Sequence, residues 1–191
     1  MKKLCLFVLF LLASACSPAK TAVEFKANDI TGAEFAQSLT LTDHTGKVRH
    51  LTDFKGKVIA LFFGYTHCPD VCPTTMFDLK QTMKLLGKRS DEVQVLFVTV
   101  DPERDTQDVL AKFVPSFDAR FIGLRGSAQE TKDTLANFKV FYAKVAGSSK
   151  SDYTVDHSAG IYVFDKAGKV RLYMSYGEKS ADMASDIKQL L

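Results

Sequence analysis

Val58-Ile59-Ala60-Leu61-Phe62-Phe63-Gly64-Tyr65-Thr66-His67-Cys68-Pro69-Asp70-Val71-Cys72-Pro73 is the stretch that decides the fold. Its first eight residues form a nearly continuous apolar run, the pattern of a strand covered on both faces. Two cysteines follow directly. Pro73 suits the first position of a helix, and Met76, Leu79, Met83 and Leu86 recur at helical spacing until Gly87 stops it. The local order is strand, cysteine loop, helix.

Working outward, Leu39-Thr40-Leu41 and Val48-Arg49-His50-Leu51 alternate around Asp43-His44-Thr45-Gly46, which predicts a hairpin with a glycine turn. Downstream, Val93–Val100 is a second buried strand, followed by Asp101-Pro102-Glu103-Arg104-Asp105 and a helix with Val109, Leu110 and Phe113 on one face. Arg120–Leu124 reads as a short strand and Ala128–Phe138 as a helix. Val140–Val145, Gly160–Phe164 and Val170–Ser175 read as strands, the last two joined by a turn at Asp165–Gly168, and residues 179–190 close as a helix. This alternation with an antiparallel pair near the end predicts an α/β fold: a mixed sheet flanked by helices, with an extra N-terminal β-hairpin.

The chain has 191 residues, 46% of them apolar, which is enough for one ordinary globular domain and too apolar for a disordered chain. Its 25 basic and 22 acidic residues are interspersed, with no basic block longer than a residue or two, a weak footprint for nucleic acid, which is set aside as a partner. Met1-Lys2-Lys3, an apolar run from Leu4, and Ser14-Ala15-Cys16 form a basic region, a short hydrophobic region and a small-residue cleavage site. The ending Leu12-Ala13-Ser14-Ala15-Cys16 resembles a bacterial lipobox, with Leu12 one place further out than usual; it predicts a lipid on Cys16. Residues 1–15 are therefore read as a lipoprotein signal, 16–37 as a tether and 38–191 as the domain. Without Lys2 and Lys3 the charges are nearly balanced, 23 against 22. The expected location is the bacterial cell envelope, with the domain outside the cytoplasm and anchored to a membrane.

Cysteine usage then narrows sharply. Cys5 leaves with the signal and Cys16 carries lipid, so Cys68 and Cys72 are the thiols left to the domain. Export places them where a disulfide persists. A pair at the end of a buried strand and the start of a helix meets N–H groups and the helix dipole, which predicts a depressed thiol pKa. Such thiolates attack disulfides or coordinate a soft ion such as Cu(I), and spacing alone does not choose. A purely structural bridge is the bland alternative, but closing so short a loop adds little stability.

Gly64–Pro73 resembles the signature of the Sco/SenC family across all ten positions. Phe97-Val98-Thr99-Val100-Asp101-Pro102-Glu103-Arg104-Asp105-Thr106 and Tyr153-Thr154-Val155-Asp156-His157-Ser158 are similar to further family segments, in the same order. The resemblance spans roughly residues 28–190. It implies a thioredoxin-like fold and copper binding, as Cu(I) or Cu(II), linked to assembly of cytochrome c oxidase. By position, the family's metal ligands fall on Cys68, Cys72 and His157. Two thiolates and one imidazole suit copper, and three ligands leave an open position for exchange with a partner. The implied partners are oxidase subunit II with its CuA centre, a copper donor and a thiol reductant.

The remaining histidines are set apart from the site. His67 adjoins Cys68, but neighbours in extended backbone point apart, so it is read as orienting the loop. His44, in a turn, and His50, at a strand end, are read as solvated surface. Asp70 and Asp156 flank the site, either tuning the ligands or serving turns and caps. The acids of Asp101–Asp105 are read as starting the next helix or facing a partner. Three rival functions share the cysteine pair: a thiol–disulfide oxidoreductase acting on subunit II or another exported protein, a peroxidase using Cys72, and a redox or copper sensor. The three-residue spacing, the lack of Trp, and His157 where thioredoxin-like reductases place a cis-proline disfavour the first. Pro69, where peroxiredoxins place a Thr, disfavours the second.

Overall fold

Asn28–Asp29 (β1) already pairs into a sheet, so the folded unit starts inside the stretch read as tether. The structure, a computed structural model, describes residues 24–149 and 152–191. The expected signal, Cys16 and residues 16–23 lie outside the described residues. In the remainder of that stretch the Lys26 and Ala27 N–H groups donate to the buried Asp186 carboxylate at 2.8–3.0 Å, and Ala36 is buried. The carboxylate replaces water for those donors, which lets a polar segment dock.

Thr40–Asp43 (β2) and Val48–His50 (β3) form the expected hairpin. Gly46 holds φ 89°, open to glycine without Cβ strain, and the Asp43 carboxylate accepts from Thr45 N, Thr45 Oγ1 and Lys47 N. The apolar run becomes Val58–Gly64 (β4), with every residue buried. Val93–Thr99 (β5) is buried throughout as well, and the two run parallel. Between them Val71–Leu86 (α1) buries Met76, Leu79, Met83 and Leu86 and stops at Gly87, φ 58°. Pro73 is the third helical residue rather than the first. It still falls in the first turn, where an N–H has no intrahelical acceptor to lose.

The chain continues through Gln107–Phe113 (α2), Ile122–Arg125 (β6), Ala128–Asn137 (α3) and Tyr142–Ser149 (β7). It ends with Asp152–His157 (β8), Ile161–Phe164 (β9), Val170–Met174 (β10) and Ser180–Leu190 (α4). β6 starts two residues later than expected because Arg120 N–H and guanidinium fold back onto Asp118 in a turn. The main sheet runs β1-β10-β9-β4-β5-β6-β2-β3; β4, β5 and β6 are mutually parallel and the other pairs antiparallel, a mixed thioredoxin-like sheet as expected. α4 lies against α1. Phe63, Phe138, Phe164 and Tyr162 interlock edge to face, which is what the phenylalanine-rich composition builds. Among the described residues no helix is long and apolar enough to cross a membrane.

β7 and β8 stand apart as a two-stranded antiparallel ribbon. The sequence reading placed no strand over Asp152–His157. Its alternation is nonetheless clear: Val155 is buried between the exposed Thr154 and Asp156, with Tyr153 and His157 half-buried on the same face.

Candidate functional site

Cys68 sits in the loop after β4, half-buried, and Cys72 is the second residue of α1, fully buried; both are free thiols. The helix start leaves N–H groups without intrahelical partners, and that of Cys72 donates to Cys68 Sγ at 3.4 Å. β9 pairs with β4 through Ile161 and Phe62, so the short link before β9 returns the end of β8 to the cysteine loop. His157 Nε2 thereby lies 3.6 Å from Cys72 Sγ. Its Nδ1 is 3.0 Å from the Ser158 carbonyl. A carbonyl only accepts, so Nδ1 carries the hydrogen and Nε2 turns its lone pair to the thiol.

Burial sets the protonation of both partners. It pushes the Cys72 thiol well above its ordinary value, although the Tyr65 backbone N–H opposes this. The expected depression is therefore wrong for Cys72: loss of hydration in the core outweighs the helix start. Burial likewise pushes His157 down from 6.5, against the Ser158 carbonyl and the nearby Asp156, so the ring is neutral at pH 7. A neutral imidazole facing a protonated thiol is an S–H···N contact. Its proton occupies the line between two potential metal donors.

The site opens into a cleft of about 460 Å³ whose lining includes Tyr65, Cys68, Asp70, Phe141, Asp156 and His157. A groove of about 410 Å³ between α3 and β7 has no thiol or histidine in its lining. Among the described residues no three His, Cys, Asp or Glu side chains are gathered closely enough to form a ready-made metal cluster. Cys72 is the shared neighbour of the other two predicted residues, and Cys68 and His157 both line the cleft.

Glycine at position 64 is required by this packing. A Cβ there would lie 2.8 Å from ring carbons of Phe62 and Phe97 and 3.1 Å from Cys72 Sγ. Gly64→Ala is expected to cost about 1–3 kcal/mol through overpacking, read as a lower melting temperature, and to move Cys72 relative to His157. An unchanged melting temperature would contradict the packing described.

The other candidates separate cleanly. His67 is exposed, with Nδ1 3.1 Å from Thr66 Oγ1 and 3.7 Å from Asp105, and it is absent from the cleft lining. His50 is exposed, as expected, beside Thr40 Oγ1. His44 corrects the reading: it is half-buried, its Nδ1 accepts from Gly123 N–H at 3.0 Å, and its own N–H donates to the Gly123 carbonyl. It bridges β2 to β6 because that edge otherwise leaves backbone groups unpaired. Asp70 is exposed on the rim and accepts from Thr74 Oγ1.

Asp101 and Asp105 neither start a helix nor face outward; both are fully buried. Asp105 accepts from Thr66 N, Thr66 Oγ1 and Thr99 Oγ1, and Asp101 from Tyr153 Oη and Arg104. Thr106 caps α2 instead. Sequence reasoning also passed over Tyr65, whose hydroxyl accepts from Val155 N–H at 3.2 Å and reaches the Cys68 sulfur. Its signal was an aromatic at the very end of a buried strand, where a polar tip meets the site.

The SCO1/SenC family model matches residues 27–191. The chain is 37% identical over 152 residues to the mitochondrial SCO2 homolog of Bos taurus, covering 78% of this chain and 57% of that protein. It is 35% identical over 166 residues to an SCO2-like protein of Rickettsia felis, covering 84% and 79%. It thus spans a little over half of the bovine relative's length. Among solved structures, copper-bound ScoI of Bradyrhizobium japonicum is 38% identical with a TM-score of 0.75, covering 81% of this chain and 98% of that one. A match over nearly the whole described chain, carrying the cysteine loop and the histidine ribbon together, means that this chain belongs to the SCO1/SenC family.

Proposed function

We propose that this protein is a copper-delivery protein of the bacterial cell envelope. It receives copper through Cys68, Cys72 and His157 and supplies the CuA centre of cytochrome c oxidase subunit II. The observation that carries this reading is the 3.6 Å approach of His157 Nε2 to Cys72 Sγ across a separation of 85 residues. Nothing in a plain dithiol exchanger calls for an imidazole there, lone pair inward and with its other nitrogen fixed by a carbonyl. That second bond is what holds a metal-ligating histidine in one tautomer and orientation. Copper bound in the Bradyrhizobium relative supports the choice of ion.

The donor set fits the cargo: two sulfurs and one neutral imidazole are soft to borderline ligands. Buried Cys72 and half-buried His157 give one half of the site, and the half-buried Cys68 completes it from the cleft. Cys68 and His157 line the cleft, which leaves access for a partner, as transfer requires. Lipid on Cys16 with the following residues as a tether would hold the site near a membrane-bound oxidase. A copper donor and a thiol reductant complete the cycle, because a Cys68–Cys72 disulfide cannot supply the thiolates.

The test is transfer. Reduced, copper-loaded protein mixed with the copper-free soluble domain of subunit II is expected to generate the CuA absorption, and the disulfide form none. No transfer from the loaded reduced form would overturn the reading. The side-by-side thiols favour one alternative, a thiol–disulfide oxidoreductase acting on subunit II. That reading wins if copper-free protein reduces subunit II catalytically and His157→Ala keeps full turnover.

A further inference from the structure

Among the described residues the ribbon that carries His157 makes no strand pairing with the main sheet, so side-chain contacts must fix the imidazole against the thiol. The turn between β5 and α2 does so from two sides. Toward the cysteines, Asp105 holds Thr66 by its N–H at 3.0 Å and its hydroxyl at 2.6 Å, two residues before Cys68. Toward the ribbon, Arg104 Nη1 donates to the Tyr153 carbonyl at 2.8 Å, its guanidinium stacks 3.6 Å from the Tyr153 ring centre, and Tyr153 Oη donates to Asp101 at 2.7 Å. Arg104 is itself paired with Asp101. The turn is braced from behind by Arg125, which donates to the Asp105 and Pro102 carbonyls.

We propose that Arg104, with Asp101 and Tyr153, is a positioning device for copper binding: it pins the β7–β8 ribbon so that His157 stays within reach of Cys72. This rests on the ligand reading above and deepens it. The clamp is specific to the ribbon because each of its contacts to β8 is made at Tyr153, four residues before the histidine. It is buried at its base, with Asp101 fully enclosed, so the pair is not weakened by water as a surface bridge would be. Stacking adds to it, since a guanidinium on a tyrosine face is attracted by the ring quadrupole. Arg104 touches none of the proposed ligands; its contacts to the ribbon are made at Tyr153, and beyond the ribbon its guanidinium lies 5.7 Å from the centre of the Tyr65 ring.

The experiment compares the wild type with Arg104→Gln, Tyr153→Phe, His157→Ala, Cys68→Ser and the Arg104→Gln/His157→Ala double variant. Copper affinity is read by competition with a chelator, and histidine ligation by nitrogen hyperfine structure in the Cu(II) spectrum. Arg104→Gln is expected to lose affinity by roughly 10–100-fold, the usual effect of removing a group that orients a ligand, and to weaken the nitrogen signature. In the His157→Ala background the same substitution is expected to change affinity by less than about twofold, because its effect passes through that one ligand. Equal losses in both backgrounds would mean a general structural role and would overturn the proposal. An unchanged affinity in folded Arg104→Gln would overturn it too. If Arg104→Gln fails to fold, Tyr153→Phe, which removes one oxygen, decides the question: about tenfold weaker binding is expected, and none contradicts the clamp. Copper affinity insensitive to Cys68→Ser would instead defeat the ligand assignment, an outcome distinct from failure of the clamp alone.

Discussion

Replacing Cys72 with serine is expected to lower copper affinity by roughly a hundredfold or more while leaving a cooperatively folded protein. The scale follows from metal sites of similar chemistry: four such ligands bind structural zinc with about 10–16 kcal/mol, so one lost thiolate removes on the order of 3 kcal/mol. Cys72 is the right residue to test because it is the shared neighbour of Cys68 and His157. A hydroxyl is near in size to the thiol and accepts the Tyr65 N–H in its place, so the folding cost stays small beside the loss of a soft ligand. Competition titration against a Cu(I) chelator measures the affinity, and thermal melting checks the fold. Wild-type affinity in folded Cys72→Ser would remove Cys72 from the site.

Copper affinity is also expected to rise steeply with pH. Burial keeps Cys72 protonated through the neutral range, so binding must displace its proton, and each displaced proton makes affinity rise tenfold per pH unit. Between pH 6 and 8 the affinity should therefore increase by at least about a hundredfold. The sign is fixed by the thiol: more alkaline solution removes a competitor for the sulfur. His157 is pushed down from 6.5, so it is neutral over most of that window and adds a further loss only at the acid end. Affinities measured at fixed ionic strength, corrected for the chelator's own protonation, give the slope. A flat profile would mean that copper does not engage the Cys72 sulfur.

The strand, cysteine loop and helix were legible because their patterns are local. Two-sided burial of Val58–Gly64 writes a continuous apolar run, and α1 writes a helical period ended by glycine. The hairpin was legible from its turn for the same reason. What the local pattern could not carry was the meeting of His157 with Cys72, which depends on the β9–β4 register; only the family resemblance pointed to that residue. The β8 alternation of Tyr153, Val155 and His157 was present, but with Val155 its one aliphatic residue the segment was read as a motif and not as a strand. Asp101 and Asp105 were misread because acids after a strand usually face water; here the Thr66 N–H and hydroxyl and the Tyr153 hydroxyl from distant segments, with the guanidinium of neighbouring Arg104, satisfy them in the interior. The thiol shift was misread because a helix start is visible in sequence and the depth of burial is not.

X-ray absorption at the copper edge on the reduced, copper-loaded protein is the most direct measurement of the ligand set. Two sulfurs and one imidazole nitrogen are expected in the wild type, the nitrogen lost in His157→Ala and one sulfur lost in Cys68→Ser. A shell without sulfur, or an imidazole signal that survives His157→Ala, would contradict a copper site built from Cys68, Cys72 and His157.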